Sequence, residues 1–459
     1  MAHSTDIAVK DKKTKRNWIY AKKVTGPLFT YRQYIGYLLL CLLIITPFTK
    51  IGGEPLLLFN VIERRFVVFG MVFYPQDLHI FVFGMLIAMV CIVLFTVVYG
   101  RVWCGWACPQ TIFMELVFRR IEYWIEGDAH QQQHLAQQPL DGRKMLKKVI
   151  KHGVFLVISF FIANIFLAYI IGVQSLINII TDPINQHISG LIAISIFTLV
   201  FYAVFAYARE LVCTTICPYG RLQGVLLDEQ SITVAYNHKR GEPRGKRKRG
   251  QTEPQQGDCV DCGLCVQVCP TGIDIRNGIQ LECVNCTACI DACDAVMQKI
   301  GRPTRLIGFY STKDIEEVGS KRNYTRTIAY SAVLLVLLIT CGWLIFSRSI
   351  LDGTLLRANG TSYIFRDDGT VTNLYNLELI NKSPNTLPFA LESANGDFRL
   401  QTVGNIREIK KDETVHLSFF LVIPKNKIHH YKTDVKVKIV SANKVVKQMK
   451  TTFVAPVGG

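Results

Sequence analysis

The sequence predicts an α-helical polytopic membrane protein, internally duplicated, with a cysteine-rich module inserted before its last span and a small β-sandwich at its C-terminal end. Three observations carry this. Five stretches, approximately 33–49, 78–98, 153–173, 187–207 and 327–346, are apolar over the roughly 17–25 residues that a bilayer crossing requires. Eight of the 15 cysteines fall between Cys259 and Cys293. Beyond about residue 350, short apolar runs alternate with Asn-Gly, Asp-Gly and Ser-Pro turn signals.

The spans rest on composition as well as length. The 459 residues are 50% hydrophobic and only 19% charged, too apolar for an ordinary soluble chain. The fourth stretch, ISGLIAISIFTLVFYAVFAYA, carries no charge, whereas the first holds Pro47 near its end. Lysine and arginine then set an expected orientation. They number 8 in the first 32 residues, 3 after the first span, 8 after the second, none after the third and 17 between the fourth and fifth. That alternation puts the N-terminus and the insert 208–326 on the cytoplasmic side and the tail outside, since long translocated domains largely escape the charge rule. No cleavable signal peptide is expected, because the first apolar stretch runs on into a span instead of a small-residue cleavage site. The net charge of +17 gathers partly in HKRGEPRGKRKRG (238–250), read as a linker held against anionic lipid headgroups. Nucleic-acid binding is not expected, because no recognition fold accompanies the basic run.

The cysteines are clustered in a way that disulfide frameworks are not, which indicates thiols kept reduced for metal binding. Cys259-x-x-Cys262-x-x-Cys265-x-x-x-Cys269-Pro270 is followed by Cys283-x-x-Cys286-x-x-Cys289-x-x-x-Cys293. Three closely spaced thiolates wrap one face of an iron–sulfur cubane, and in bacterial two-cluster ferredoxins the fourth ligand comes from the other run. By that rule Cys259, Cys262, Cys265 and Cys293 bind one 4Fe–4S cluster, and Cys283, Cys286, Cys289 and Cys269 bind the second. Structural zinc sites are the competing reading, disfavoured by two copies of one compact spacing. Asp294 follows the last cysteine where proline is usual.

A second constellation lies beside the spans. Arg101-Val-Trp-Cys104-Gly-Trp-Ala-Cys108-Pro109 follows the second span, and Glu210-Leu-Val-Cys213-Thr-Thr-Ile-Cys217-Pro218 follows the fourth. The repeat of two spans and a C-x-x-x-C-P pair reads as a duplication. Helical i, i+4 spacing would set each pair on one face, and a pseudo-two-fold packing of the repeats would join all four thiols at the membrane surface. They suit Cu(I), a further iron–sulfur cluster or a redox dithiol, and the sequence leaves those alternatives open, beside plain helix packing. Met85, Met89 and Cys91 on the second span and the pair His429-His430 are weaker metal candidates, more simply lipid-facing and loop residues. Glu63-Arg64-Arg65 suggests an interfacial or tail-docking role.

With these residues on the page, the chain resembles the FixG/RdxA/CcoG family of cytochrome oxidase accessory proteins. The resemblance runs through ERRFVVFGMVFYPQD, WCGWACPQTIFMELVFRRIEYWIEG and CPTGIDIRNGIQLECVNCTACIDAC. It implies a C-terminal immunoglobulin-like domain and a role in assembling the bacterial cbb-type haem–copper oxidase, with cupric reductase activity. The C-x-x-x-C-P pattern is also similar to membrane anchors of periplasmic nitrate and nitrous oxide reductase systems. The expected division is a cytoplasmic arm (1–32), a four-helix membrane domain (33–230), a linker and two-cluster ferredoxin domain (231–326), a fifth span (327–347) and a periplasmic immunoglobulin-like domain (348–459). Expected partners are membrane lipids, copper ions, oxidase assembly factors or copper chaperones, and an external electron donor. The donor is external because neither a haem C-x-x-C-H nor a nucleotide-binding glycine fingerprint is present. A quinol-linked conduit without a metal substrate, and a non-enzymatic copper scaffold, are the competing functions.

Overall fold

In the computed structural model, described here for residues 18–246, 256–317, 324–349 and 351–455 apart from 359–362, 367, 384, 395, 405–407, 412, 429 and 442–443, the chain forms two compact units. Part of the basic run 238–250, and His429, lie outside the described residues.

Among the described residues five helices are long and apolar enough to cross a membrane: Pro27–Phe48, Leu78–Tyr99, Gly142–Ile171, Ile188–Ala208 and Thr325–Phe346. The first begins at Pro27, earlier than the sequence suggested, because a proline fits the first helical turn, where its missing N–H has no partner to lose. It closes in a single 3₁₀ turn, Thr46–Phe48, around the buried Pro47. The third is longer than the expected span, since its first turns carry Lys147, Lys148 and Lys151 beyond the apolar stretch. Met85 and Met89 are exposed.

The first unit holds residues 1–50, 55–63 and 85–337. Its membrane helices meet in an aromatic core. Phe118 is fully buried, stacked on Phe205 at 4.4 Å and edge-on to Phe155 at 4.8 Å. Two stretches beside this core, Phe113–Phe118 and Val204–Ala208, are π-helical, a geometry frequent at functional sites. A buried charge network joins the same helix ends: Glu122 pairs with Arg209 at 2.9 Å and Glu126 with Lys151 at 3.0 Å. The cysteine-rich module closes on itself, because strand Thr233–Tyr236 at its start pairs antiparallel with Ile307–Tyr310 at its end.

The second unit gathers residues 51–54, 64–84 and 338–459. Its two larger sheets are a five-stranded one, with Thr370–Asn381 central and paired to Thr414–Pro424 and Leu351–Arg357, and a three-stranded one of Ala390–Ser393, Lys432–Ser441 and Lys444–Val454, beside the short pairing of Leu387–Pro388 with Glu408–Ile409. Alternation sends Val435, Val437 and Ile439 inward, where they meet Tyr375, Leu377, Leu379, Phe419 and Leu421 in one core, all at most 1% exposed. Two ion clusters lie within this unit. Lys382 bridges Asp77 (2.7 Å) and Asp352 (3.0 Å), and Glu54 joins Arg65 (2.7 Å) to Lys411 (2.9 Å). Arg65, in the outlying charge run 63–65, thus reaches the β-domain's Lys411 through Glu54.

Candidate functional site

The two C-x-x-C-x-x-C runs fold alike. Asp261 and Asn285, each just before the second cysteine of its run, have φ of 51° and 53°; Gly263 and Thr287, just after it, both have φ of 66°. Left-handed residues on either side of a cysteine curl the chain into an arc, so that three thiols face one centre. Asp, Asn and Gly visit that region, but a β-branched residue there is strained. Thr287 is held in it by complete burial and by its hydroxyl, which donates to the Cys286 carbonyl at 2.6 Å. Gly263 and Thr287 occupy the N-cap positions of helices Leu264–Gln267 and Ala288–Lys299, which carry Cys265, Cys289 and Cys293.

Two cavities result. One is lined by Cys259, Cys262, Cys265 and Cys293, the other by Cys269, Cys283, Cys286 and Cys289, with Cys265 on the wall between them. Each cavity therefore takes its fourth cysteine from the other run. Four thiols around a small apolar hollow are the donor set a 4Fe–4S cubane takes. Burial pushes Cys265 and Cys286 up to about 11, and Cys283 and Cys293 up to about 12. Such thiols give up their protons to an arriving metal and not to water, so loading and proton release are coupled. Among the described residues, no three Cys, His, Asp or Glu groups already form a closed metal-ligand set; ligation draws the thiols in around a backbone that is in place.

The membrane pairs differ from the helical face expected of them. Cys104 lies in the short helix Val102–Trp106, while Cys108 is extended (φ −64°, ψ 125°) and precedes the helix Pro109–Ile112. Cys213 lies in a π-helical turn, Val212–Ile216, while Cys217 is extended (φ −69°, ψ 110°) and precedes the helix Pro218–Leu226. The reason is the shared proline. It drives the residue before it out of the helical region and then starts a new helix itself. Both halves of the duplication thus share a kinked Cys-Pro corner. The pairs are nevertheless brought into one neighbourhood. In their ionised forms Cys108 and Cys217 would both raise the Cys104 thiol, and Cys108, Cys104 and Cys217 the Cys213 thiol, as only close neighbours do. Burial pushes Cys104 up to about 11 against the pull of the Arg101 guanidinium, and Cys213 up to about 12. The Cys104 thiol donates to Gln223 Oε1 at 2.9 Å, and the fully buried Gln223 amide donates in turn to the hydroxyls of Thr96 (3.0 Å) and Tyr219 (2.7 Å).

The two constellations touch. A methyl group on Gly105 would lie 2.4 Å from the Val284 carbonyl oxygen and 3.0 Å from the Asn285 carbonyl carbon, so only glycine permits this approach. The Trp106 indole N–H donates to the Asn285 carbonyl at 3.3 Å, and Arg101 donates to the Leu281 carbonyl. Cys104, Val284, Cys286 and Ala288 share one apolar cluster. From the other side, Arg32 Nε donates to the Gly105 carbonyl at 2.7 Å. Asp291, on the last helix of the module, accepts from the Leu28 and Phe29 amides at 3.3 and 2.7 Å, satisfying free N–H groups at the start of the first membrane helix. Of these contacts the sequence signalled only the cysteines. Arg101, Gly105 and Trp106 stood inside a motif without an assigned part, and Arg32, Gln223, Asn285 and Asp291 carried no signal.

Comparison with known proteins agrees with this geometry. Residues 208–312 match the family described as a 4Fe-4S dicluster domain, residues 81–127 a 4Fe-4S binding domain, and residues 341–456 the IG-like fold at the C-terminal of FixG, putative oxidoreductase. The second match takes in Cys104 and Cys108. Protein RdxB of Cereibacter sphaeroides is 34% identical over 92% of this chain and 92% of its own length. Protein RdxA of the same organism is 35% identical over 82% of each chain, and the nitrogen fixation protein FixG of Rhizobium meliloti is 31% identical over 90% of this chain and 88% of its own. With the two four-cysteine cavities, the five apolar helices and the β-sandwich in their places, the chain belongs to the FixG/RdxA family, as a membrane protein that transfers electrons through iron–sulfur clusters.

Proposed function

We propose that this protein reduces Cu(II) to Cu(I) at Cys104, Cys108, Cys213 and Cys217, for assembly of a cbb-type cytochrome c oxidase. The observation that carries the reading is the contact of Cys104-Gly105-Trp106 with Val284-Asn285-Cys286, which sets the membrane thiols against one of the two cluster cavities. Clusters of the 4Fe–4S type, when bound, supply one-electron storage. Cys259, Cys262, Cys265 and Cys293 would hold one, and Cys269, Cys283, Cys286 and Cys289 the other. The membrane thiols present a soft donor set, which favours Cu(I) over harder ions. Each Cu(II) takes up one electron, and no bond within the protein breaks.

The proposal includes a topology. The basic residues put the N-terminal arm and the ferredoxin module on the cytoplasmic side of a bacterial inner membrane and the β-domain in the periplasm. An external donor, and copper chaperones or oxidase assembly factors, are the partners this reading requires.

A second reading has one observation in its favour. Because residues 81–127 match a 4Fe-4S binding domain, the four membrane thiols would hold a further cluster and no copper. Anaerobic purification with iron, sulfide and copper counts, followed by a Cu(II)-reduction assay, separates the two. The copper reading expects about eight irons per chain, two clusters of four, kept when all four membrane cysteines become alanine. In that series Cys104→Ala with Cys108→Ala abolishes reduction, and adding Cys213→Ala with Cys217→Ala costs little more, since groups acting as a unit give non-additive losses. About twelve irons, falling to about eight in the quadruple variant, establishes the cluster reading. Full reduction by the quadruple variant defeats the proposal, and absence of Cu(II) reduction in the unaltered protein favours a quinol-linked conduit or a copper scaffold.

A further inference from the structure

The two cavities differ in the charge around them. At the Cys259, Cys262, Cys265 and Cys293 cavity, the guanidiniums among the described residues stand in ion pairs. Arg276, whose charge reaches Cys265, is held by Asp274 at 2.7 Å and by Asp261 at 2.5 Å. Arg240 and Arg302 share Asp258 at 2.7 and 3.4 Å. Asp294, whose charge reaches Cys293, is met by Arg305 at 3.5 Å. At the Cys269, Cys283, Cys286 and Cys289 cavity the cations are Arg32 and Arg101, each 3% exposed. Arg32 donates to the carbonyl of Gly105, which packs against Val284 and Asn285 beside Cys286. Arg101 donates to the carbonyl of Leu281, two residues before Cys283, and also meets the Cys104 thiol. The charge of Arg32 reaches Cys286 and that of Arg101 reaches Cys283. Among the described residues neither arginine has an ion-pair partner. Glu115, whose charge also reaches Cys286, is taken by Arg119 at 2.5 Å.

A cluster becomes more negative when it is reduced, so an unneutralised cation beside it raises its reduction potential. Burial pulls the other way, because the reduced form is less well solvated, and the second cavity is the more enclosed: Cys286 is buried, while Cys262 is exposed. The two guanidiniums are themselves buried, however, where charges are least screened. The carboxylate Asp261, by contrast, is 45% exposed in its side chain.

We propose that Arg32 and Arg101 give the Cys269, Cys283, Cys286 and Cys289 site the higher reduction potential of the two, so that an electron stored in the protein settles beside the membrane thiols. The step is a transfer of one electron between the sites. The Cys259 site is oxidised, the Cys269 site is reduced, and no bond forms and no proton moves. Arg32 and Arg101 are positioning residues in this scheme. The proposal rests on the partition of the eight cysteines given above and not on the identity of the final acceptor. Cluster loss in Cys262→Ser and Cys286→Ser tests that partition separately.

The experiment is a potentiometric titration of the full-length, anaerobically purified protein followed by electron paramagnetic resonance. Two reduction steps are expected. The higher one survives in Cys262→Ser and the lower one in Cys286→Ser. Arg32→Gln should move the higher step down and leave the lower in place, while Arg32→Lys, which keeps the charge, should largely restore it. If Arg32→Gln does not accumulate with iron, Asp261→Asn replaces it: removing a carboxylate at the other site should raise the lower step alone. Assignment of the higher step to the Cys259 site overturns the proposal, as does an Arg32→Gln or Asp261→Asn protein whose two steps stay where they were.

Discussion

Gly105→Ala tests the contact on which the proposed electron delivery depends. The added Cβ would meet the Val284 oxygen at 2.4 Å. An unforced carbon–oxygen contact needs about 3.3 Å, so the two backbones must part by roughly 1 Å. Neither is free to yield. Gly105 is itself buried and is fixed by Arg32, and Val284 lies between two cysteines of one run. Overpacking of this kind costs about 1–3 kcal/mol, which the fold survives. A misplacement of about 1 Å between reacting groups costs up to about 10²-fold in rate.

The assay is stopped-flow reoxidation of the dithionite-reduced protein by Cu(II), with iron and sulfide counted in the same sample. Gly105→Ala should keep its iron and react several-fold to about 10²-fold more slowly. Gly153→Ala is the control. It lies in the Gly142–Ile171 helix with nothing within 4 Å of its added Cβ, and alanine there gains about 1 kcal/mol of helix propensity. A Gly105→Ala protein with full iron and an unchanged rate would refute the reasoning.

Other outcomes follow from the same structure. Cys262→Ser and Cys286→Ser should each lose one cluster, lowering the iron count by about half; zinc in place of iron, without absorption bleached by dithionite, would sink the ferredoxin assignment. A periplasm-active reporter should be active when fused at Gly459 and silent near Gly250; the reverse would overturn the orientation. Lys382→Met should leave the buried Asp77 to Arg348 alone and the half-buried Asp352 to Lys447 alone, a loss smaller than the about 3–5 kcal/mol of a buried charge left with no partner. Scanning calorimetry should therefore show the β-domain transition at a lower temperature, and an unmoved transition counts against any role for the cluster in holding Asp77 to that domain.

The parts of the fold governed by local pattern were legible. The apolar spans, the two cysteine runs and the long strands 370–381, 414–424 and 432–441 follow from periodicity and spacing, which a linear reading captures. Shorter strands such as Ala390–Ser393 and Arg399–Val403 did not stand out, because their pairing with Lys432–Ser441 and Thr414–Pro424 defines them more than their composition does. The helical face expected of each cysteine pair failed for a local reason that was in view, the proline after the second cysteine. The contacts of Arg32 with Gly105, across 73 residues, and of Asp291 with the Leu28 and Phe29 amides, across more than 260, leave no local trace.

The duplicated motif shows where local pattern ends and assembly begins. Both copies keep the cysteines and the proline, and both fold to the same extended Cys-Pro corner. They differ at three places that matter. Arg101 in the first copy corresponds to Glu210 in the second, Gly105 to Thr214, and Trp106 to Thr215. In the first copy these residues reach the Leu281 carbonyl, approach Val284 without a side chain, and donate to Asn285. In the second, the Thr214 hydroxyl turns back to the Glu210 carbonyl, while Thr215 and Ile216 face outward. Arginine at the position of Glu210 would add a further cation beside thiols already neighboured by Arg101, and threonine at the position of Gly105 would collide with Val284. Keeping the cysteines therefore keeps four thiols in one place, and diverging at these three positions gives the first copy its close backbone approach to Val284 and Asn285, while Cys213 of the second copy lines a hollow with Pro270, Thr271 and Val284. The substitutions were visible in the sequence from the outset, but only their contacts reveal which copy approaches Val284 and Asn285 so closely.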